Sequence, residues 1–159
     1  WRPADPLTQA VQGALLGLAV QLVLSWVTRQ AVDHLGKDVY SPVLVRNILP
    51  KDRRETILVA LAFLPAVLME ELLFRSLLLG GFSPFFNPWL LAVVWAMIFG
   101  TMHIPQGSLG MIATSMVGFA LSAAFLYSGG LLMPLVAHYV INLLQLWDAS
   151  RHREWLEGY

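Results

Sequence analysis

The chain of 159 residues contains no cysteine, which excludes disulfides, a thiolate nucleophile and Cys-ligated metal. Charge is also scarce: 13% of residues are charged and 57% hydrophobic, against roughly 25% and 45–50% in soluble domains. A soluble domain of this composition lacks the polar residues to cover its outside, so the outside is expected to face lipid. Ten basic and ten acidic residues cancel, and no bulk charge points to a nucleic-acid partner. No G-x-S-x-G elbow and no H-E-x-x-H is present, which disfavours a serine hydrolase and a standard zincin. Internal repeats, low-complexity runs and a second domain are likewise missing. The chain begins at Trp1 with no charged stretch before a cleavable apolar segment, as expected of an excerpt or a processed form.

Apolar runs dominate what is present. Five segments are expected to cross a membrane as helices: Thr8 to Thr28, Thr56 to Leu79, Pro88 to Ile104, Leu109 to Tyr127 and Leu131 to Trp147. Breaks fall at Gly80-Gly81 with Pro84 and Pro88, at Pro105-Gln106-Gly107, and at Ser128-Gly129-Gly130. The tightness of the last two turns predicts an antiparallel arrangement of the last three helices. The expectation is therefore an all-α, polytopic transmembrane bundle, a single membrane domain over residues 1–159. Within the one long polar linker, Arg29 to Glu55, Val43 to Leu49 is expected to form a short interfacial helix stopped by Pro50.

That linker holds Arg29, Lys37, Arg46, Lys51, Arg53 and Arg54, and the C-terminal tail holds Arg151 and Arg153, whereas the loops after the second and fourth segments carry no Lys or Arg. The positive-inside rule then places linker and tail on the cytoplasmic face and the N-terminus outside. A compact chain without large loops favours a bacterial inner membrane. Gly13 and Gly17 form a G-x-x-x-G, a close helix-packing face that also offers a contact between copies; the oligomeric state is open.

Three ionisable groups, Glu70, Glu71 and Arg75, interrupt the second segment. Each costs about 2.5–3.5 kcal/mol at a membrane helix centre, so they call for a reason, and the first reason to test is a site. Residues four apart share a helical face, which pairs Glu71 with Arg75 and turns Glu70 about 100° away without a local partner. Glu70 is thus a candidate general base. His103, near the end of the third segment, can take or give a proton or bind a metal, with a reference pKa near 6.5. His138 and Asn142 share a face of the fifth segment and suit an oxyanion clamp. These six residues are nearly all the strongly polar groups of the last four segments, and one shared site accounts for them. Depth poses a difficulty: counted from Glu55, Glu70 lies roughly 22 Å along its helix, whereas His103 falls near the cytoplasmic end of its own.

The three motifs, E-E-x-x-x-R at Glu70 to Arg75, F-x-x-x-H at Phe99 to His103 and H-x-x-x-N at His138 to Asn142, resemble those of the CAAX protease and bacteriocin-processing family, also called the Abi family. The resemblance spans roughly Arg53 to Trp147, with residues 53–147 as the motif-bearing catalytic core, and includes the Ser128-Gly129-Gly130-Leu131 turn before the last motif. It implies an all-helical, glutamate-dependent intramembrane endopeptidase. By the same resemblance Glu70 and His103 would activate a water, His138 and Asn142 would stabilise the oxyanion, and Glu71, Arg75 and Phe99 would be structural or supporting residues. Implied partners are a membrane-anchored or lipidated protein or a peptide precursor, in the lipid bilayer, with no cofactor. Alternatives keep the same residues: a protease with a divalent metal between Glu70, His103 and His138, a non-catalytic membrane peptide-binding scaffold or immunity protein, or a proton-coupled transporter.

Overall fold

A computed structural model describes residues 5–36, 39, 41 and 43–151; Lys37 and Arg153 lie outside these. The described residues form helices and turns only. In chain order they are α1 (Pro6–Leu35), α2 (Val43–Ile48), α3 (Arg53–Glu71) continued by a π-helical stretch (Leu72–Gly80), α4 (Pro88–Thr101), a 3-10 turn (Ile104–Gln106), α5 (Gly107–Ser128) and α6 (Leu132–Arg151).

The starts are capped by short polar side chains. Asp5 accepts from the Thr8 N–H at 3.0 Å with Pro6 just inside the helix, and Asn87 accepts from the Trp89 and Leu90 N–H groups ahead of Pro88. Asp52 accepts from the Glu55 N–H at 2.8 Å, while Glu55 reaches back to the Lys51 N–H at 2.7 Å, a reciprocal arrangement that fixes the start of α3. At the end of α5, Gly129 adopts φ 69°, the left-handed closing residue that a Cβ would strain.

Three helical stretches are long and apolar enough to cross a membrane: Pro6–Leu35, Arg53–Gly80 and Ile104–Ser128. Five were expected. The fourth candidate, α4, has only 14 residues, and α6, interrupted by His138, Asn142, Gln145 and Asp148, falls short of the other three in apolarity. Helix ends also differ from the expected ones. The first helix runs on to Leu35, with Arg29 bending its Nε back to the Ser25 carbonyl at 3.1 Å, so that charge did not end the helix. The third ends at Thr101 because the chain tightens into the 3-10 turn around Pro105.

The bundle closes through contacts of α4 with α5, of α5 with α6, and above all of α1 with α6. The last of these depends on the two glycines. A Cβ on Gly13 would lie 2.5 Å from the Met133 carbonyl oxygen, and one on Gly17 would lie 2.6 Å from that of Ala137. Both contacts advance together along the two chains, so α1 and α6 run parallel. The G-x-x-x-G face is therefore filled from within the same chain, and the expectation that it also offers a contact between copies is corrected. Leu24, Val117, Leu121, Ala137 and Ile141 form the buried cluster beside this interface, joining α1, α5 and α6.

Gly17→Val should force α1 and α6 apart and lower stability by about 1–3 kcal/mol, the usual range for overpacking. Gly81→Ala, at a helical position with nothing within 4 Å of the added Cβ, serves as the control and should unfold at the wild-type temperature in detergent.

Candidate functional site

The polar residues of the α3–π junction enter the bundle from one continuous helix. Pro65 removes a rung of the hydrogen-bond ladder of α3. Tyr139 of α6 donates its hydroxyl to the Ala60 carbonyl at 3.1 Å, one turn earlier, tying the two helices together beside that gap. Beyond Glu71 the wider π winding carries Phe74, Arg75 and Leu79 into the interior. Gly80 closes this stretch where a Cβ would press within 3.2 Å of the Arg75 carbonyl oxygen. π-Helical insertions of this kind frequently coincide with functional sites.

Glu71 and Arg75 are buried completely, and the Arg75 Nη1 atom stands 3.1 Å from Glu71 Oε1. The approach is not aligned along an N–H direction, so this contact is an ion pair rather than a directed hydrogen bond; among the described residues Glu71 Oε2 and the Nε and Nη1 of Arg75 have no hydrogen-bond partner. The guanidinium is held instead by Nη2, which donates to the Gly118 carbonyl of α5 at 3.0 Å. Two aromatic faces flank it, with Phe99 at 5.2 Å and Phe74 at 5.9 Å. Gly118 permits this, since a Cβ there would meet Ala96 and the Phe99 ring at 3.2 Å.

His138 completes the cluster from α6. Its Nδ1 lies 2.7 Å from the same Glu71 Oε1 that faces Arg75, so with Glu71 ionised the Nδ1–H donates there. The bond fixes the ring and turns Nε2 toward Glu70, 3.5 Å from its Oε2. Glu70 differs from its neighbour in one decisive respect: its side chain is 40% exposed whereas that of Glu71 is 0% exposed. A molecule arriving from outside can meet Glu70 but not Glu71.

Phe99 is the hub of the site. Its ring contacts Phe74 edge-on at 5.1 Å, His103 at 4.9 Å and His138 at 6.0 Å, besides Arg75. This resolves the difficulty over depth. Glu70 lies one turn before Phe74 and His103 one turn after Phe99. Because α3 and α4 run in opposite directions, both lie on the same side of the Phe74–Phe99 contact, at one level. His103 is half-buried, with Nδ1 2.8 Å from the Phe99 carbonyl oxygen; Nδ1–H donates there and Nε2 is left as an acceptor. The side chain that faces Glu70 at 3.5 Å is His138, not His103. Asn142 is half-buried one turn beyond His138, and its side chain makes no hydrogen bond among the described residues.

Sequence reasoning overlooked the bond between Glu71 and His138, the Arg75 anchor on the Gly118 carbonyl and the Tyr139 brace. Residues far apart in the chain meet there, and a glycine carbonyl carries no side-chain signal. Among the described residues no group of three or more His, Asp and Glu side chains is arranged to hold a metal ion.

Fold and site together define a membrane-helix bundle with a glutamate–histidine–arginine cluster buried at its centre and one carboxylate left accessible. The chain belongs to the family described as "Type II CAAX prenyl endopeptidase Rce1-like", which matches residues 52–144, more than half of its length. No curated protein and no solved structure matches it.

Arg75→Met would leave Glu71 as a buried carboxylate without its cation and should cost about 3–5 kcal/mol. Tyr139→Phe removes one hydrogen bond and should cost about 1 kcal/mol. Chemical unfolding of the two variants in detergent checks the order; equal losses would show that the ion pair is not what holds α3.

Proposed function

We propose that the protein is an intramembrane endopeptidase that hydrolyses a peptide bond of a membrane-anchored or lipidated protein, or of a peptide precursor, with a water activated by Glu70 and His103. The observation that carries this reading is the contrast between the accessible Glu70 carboxylate and the buried Glu71–Arg75–His138 cluster beside it.

In the proposed reaction Glu70 takes a proton from the water as its oxygen adds to the peptide carbonyl, and the proton passes to the departing amine; one water is consumed and no acyl-enzyme forms. The Nε2 of His103, free because Nδ1 is bonded to Phe99, holds the same water. His138 donates through Nε2–H to the developing oxyanion, with Asn142 as the second donor. That role takes a proton on each ring nitrogen, since Nδ1–H is committed to Glu71. Glu71 and Arg75 then orient His138 without touching the substrate.

The parallel run of α1 and α6 fits five alternating passes with the N-terminus outside and the basic linker in the cytoplasm, α4 and α6 being the shorter and less apolar passes. We place the protein in a bacterial inner membrane as a single domain whose catalytic core is residues 53–147.

Purified protein in lipid should cut members of a panel of membrane-anchored and lipidated reporter peptides, with or without chelator. Glu70→Gln should lower the rate by about 10²–10⁴-fold while unfolding like wild type. A folded Glu70→Gln protein that cuts normally would remove the base, and loss of cutting in chelator would replace this scheme with a metal-dependent one.

A further inference from the structure

The linker between α1 and α3 lies outside the residues matched to the family, yet it reaches the site. The Ser41 N–H donates to the Gln106 carbonyl at 2.9 Å, the Ser108 hydroxyl approaches the Val39 carbonyl at 3.4 Å, and α2 packs against the 3-10 turn Ile104–Gln106. That turn follows His103 directly, and its Gln106 N–H donates to the carbonyl of His103 itself at 2.9 Å. The other side of the turn is pinned as well, because a Cβ on Gly110 would press into the Gln106 side chain. The histidine thus sits on a short turn clamped between the start of α5 and the linker, with its ring bonded, among the described residues, to the Phe99 carbonyl alone.

We propose that Ser41, through its backbone N–H, is a positioning residue for His103: the linker holds the Ile104–Gln106 turn in the one arrangement that aims Nε2 at the water shared with Glu70. The inference rests on the reading of His103 given above. A turn of three residues ending at Gly107, with φ 80°, has little stiffness of its own, and the linker adds a hydrogen bond to the carbonyl of its last residue, Gln106.

Two substitutions separate positioning from packing. Ser41→Pro removes the N–H, whereas Ser41→Ala keeps it. Ser41→Pro should lower kcat at least tenfold with KM changed less than twofold, and Ser41→Ala should behave as wild type. A backbone hydrogen bond of this length sets the two Cα atoms about 5–6 Å apart, within disulfide range. The absence of other cysteines therefore makes a Ser41→Cys, Gln106→Cys pair a clean lock. The locked protein should keep wild-type turnover.

Carbethoxylation of His103, followed by mass spectrometry, reads the same arrangement without turnover, and its rate should rise severalfold in Ser41→Pro alone. Wild-type kcat and wild-type His103 reactivity in Ser41→Pro would overturn the proposal. So would a locked protein that is inactive until reduced, since the linker would then have to move. If the wild type cuts no substrate, the peptidase reading fails, and His103 reactivity still decides the positioning claim: a faster rate in Ser41→Pro upholds it and an unchanged rate overturns it.

Discussion

A single oxygen atom, Glu71 Oε1, receives both the guanidinium of Arg75 and the imidazole of His138. Through Arg75 it is joined to the Gly118 carbonyl, so one carboxylate links the α3–π helix, α5 and α6 at one level of the bundle. In surroundings that offer no water, each of these charged groups is costly alone and acceptable only in company. Closing the bundle and assembling the cluster are therefore one event. The same bonds that make a buried carboxylate tolerable also fix the direction of the His138 ring.

The arrangement separates two glutamates that are adjacent in the chain. Glu71 is consumed by structure, with no surface left for a substrate, whereas Glu70 keeps part of its side chain exposed and faces His138 Nε2 at 3.5 Å. Support for α6, which carries His138, comes from α1, a helix outside the family-matched residues. Its two glycines bring it against the carbonyls of Met133 and Ala137, the latter next to His138. The α1–α6 interface thus sets the position of the cluster without contributing a polar atom to it.

Helical spacing was legible in the chain: Glu71 and Arg75 four residues apart do pair, and glycines four residues apart do mark a close helix contact. What periodicity could not reveal was partnership across the fold. Glu71 and His138 are separated by 67 residues, and Arg75 ends on a backbone carbonyl 43 residues away. Nor could hydropathy set the level of α4. Its 14 residues read as part of a longer apolar segment, and only the ring contact between Phe74 and Phe99 shows that Glu70 and His103 share one depth. The π winding after Glu71 has no sequence signature comparable to a cap or a proline, and we have no physical account of why it begins there.

The central claim is that Glu70 and His103 act on one water, and a double-mutant cycle on kcat/KM tests it most directly. If Glu70→Gln and His103→Ala remove parts of the same step, the double variant should be about as slow as the slower single variant, because groups that act as a unit are not additive. Losses that multiply in full in the double variant would contradict the account and assign the two residues to separate steps.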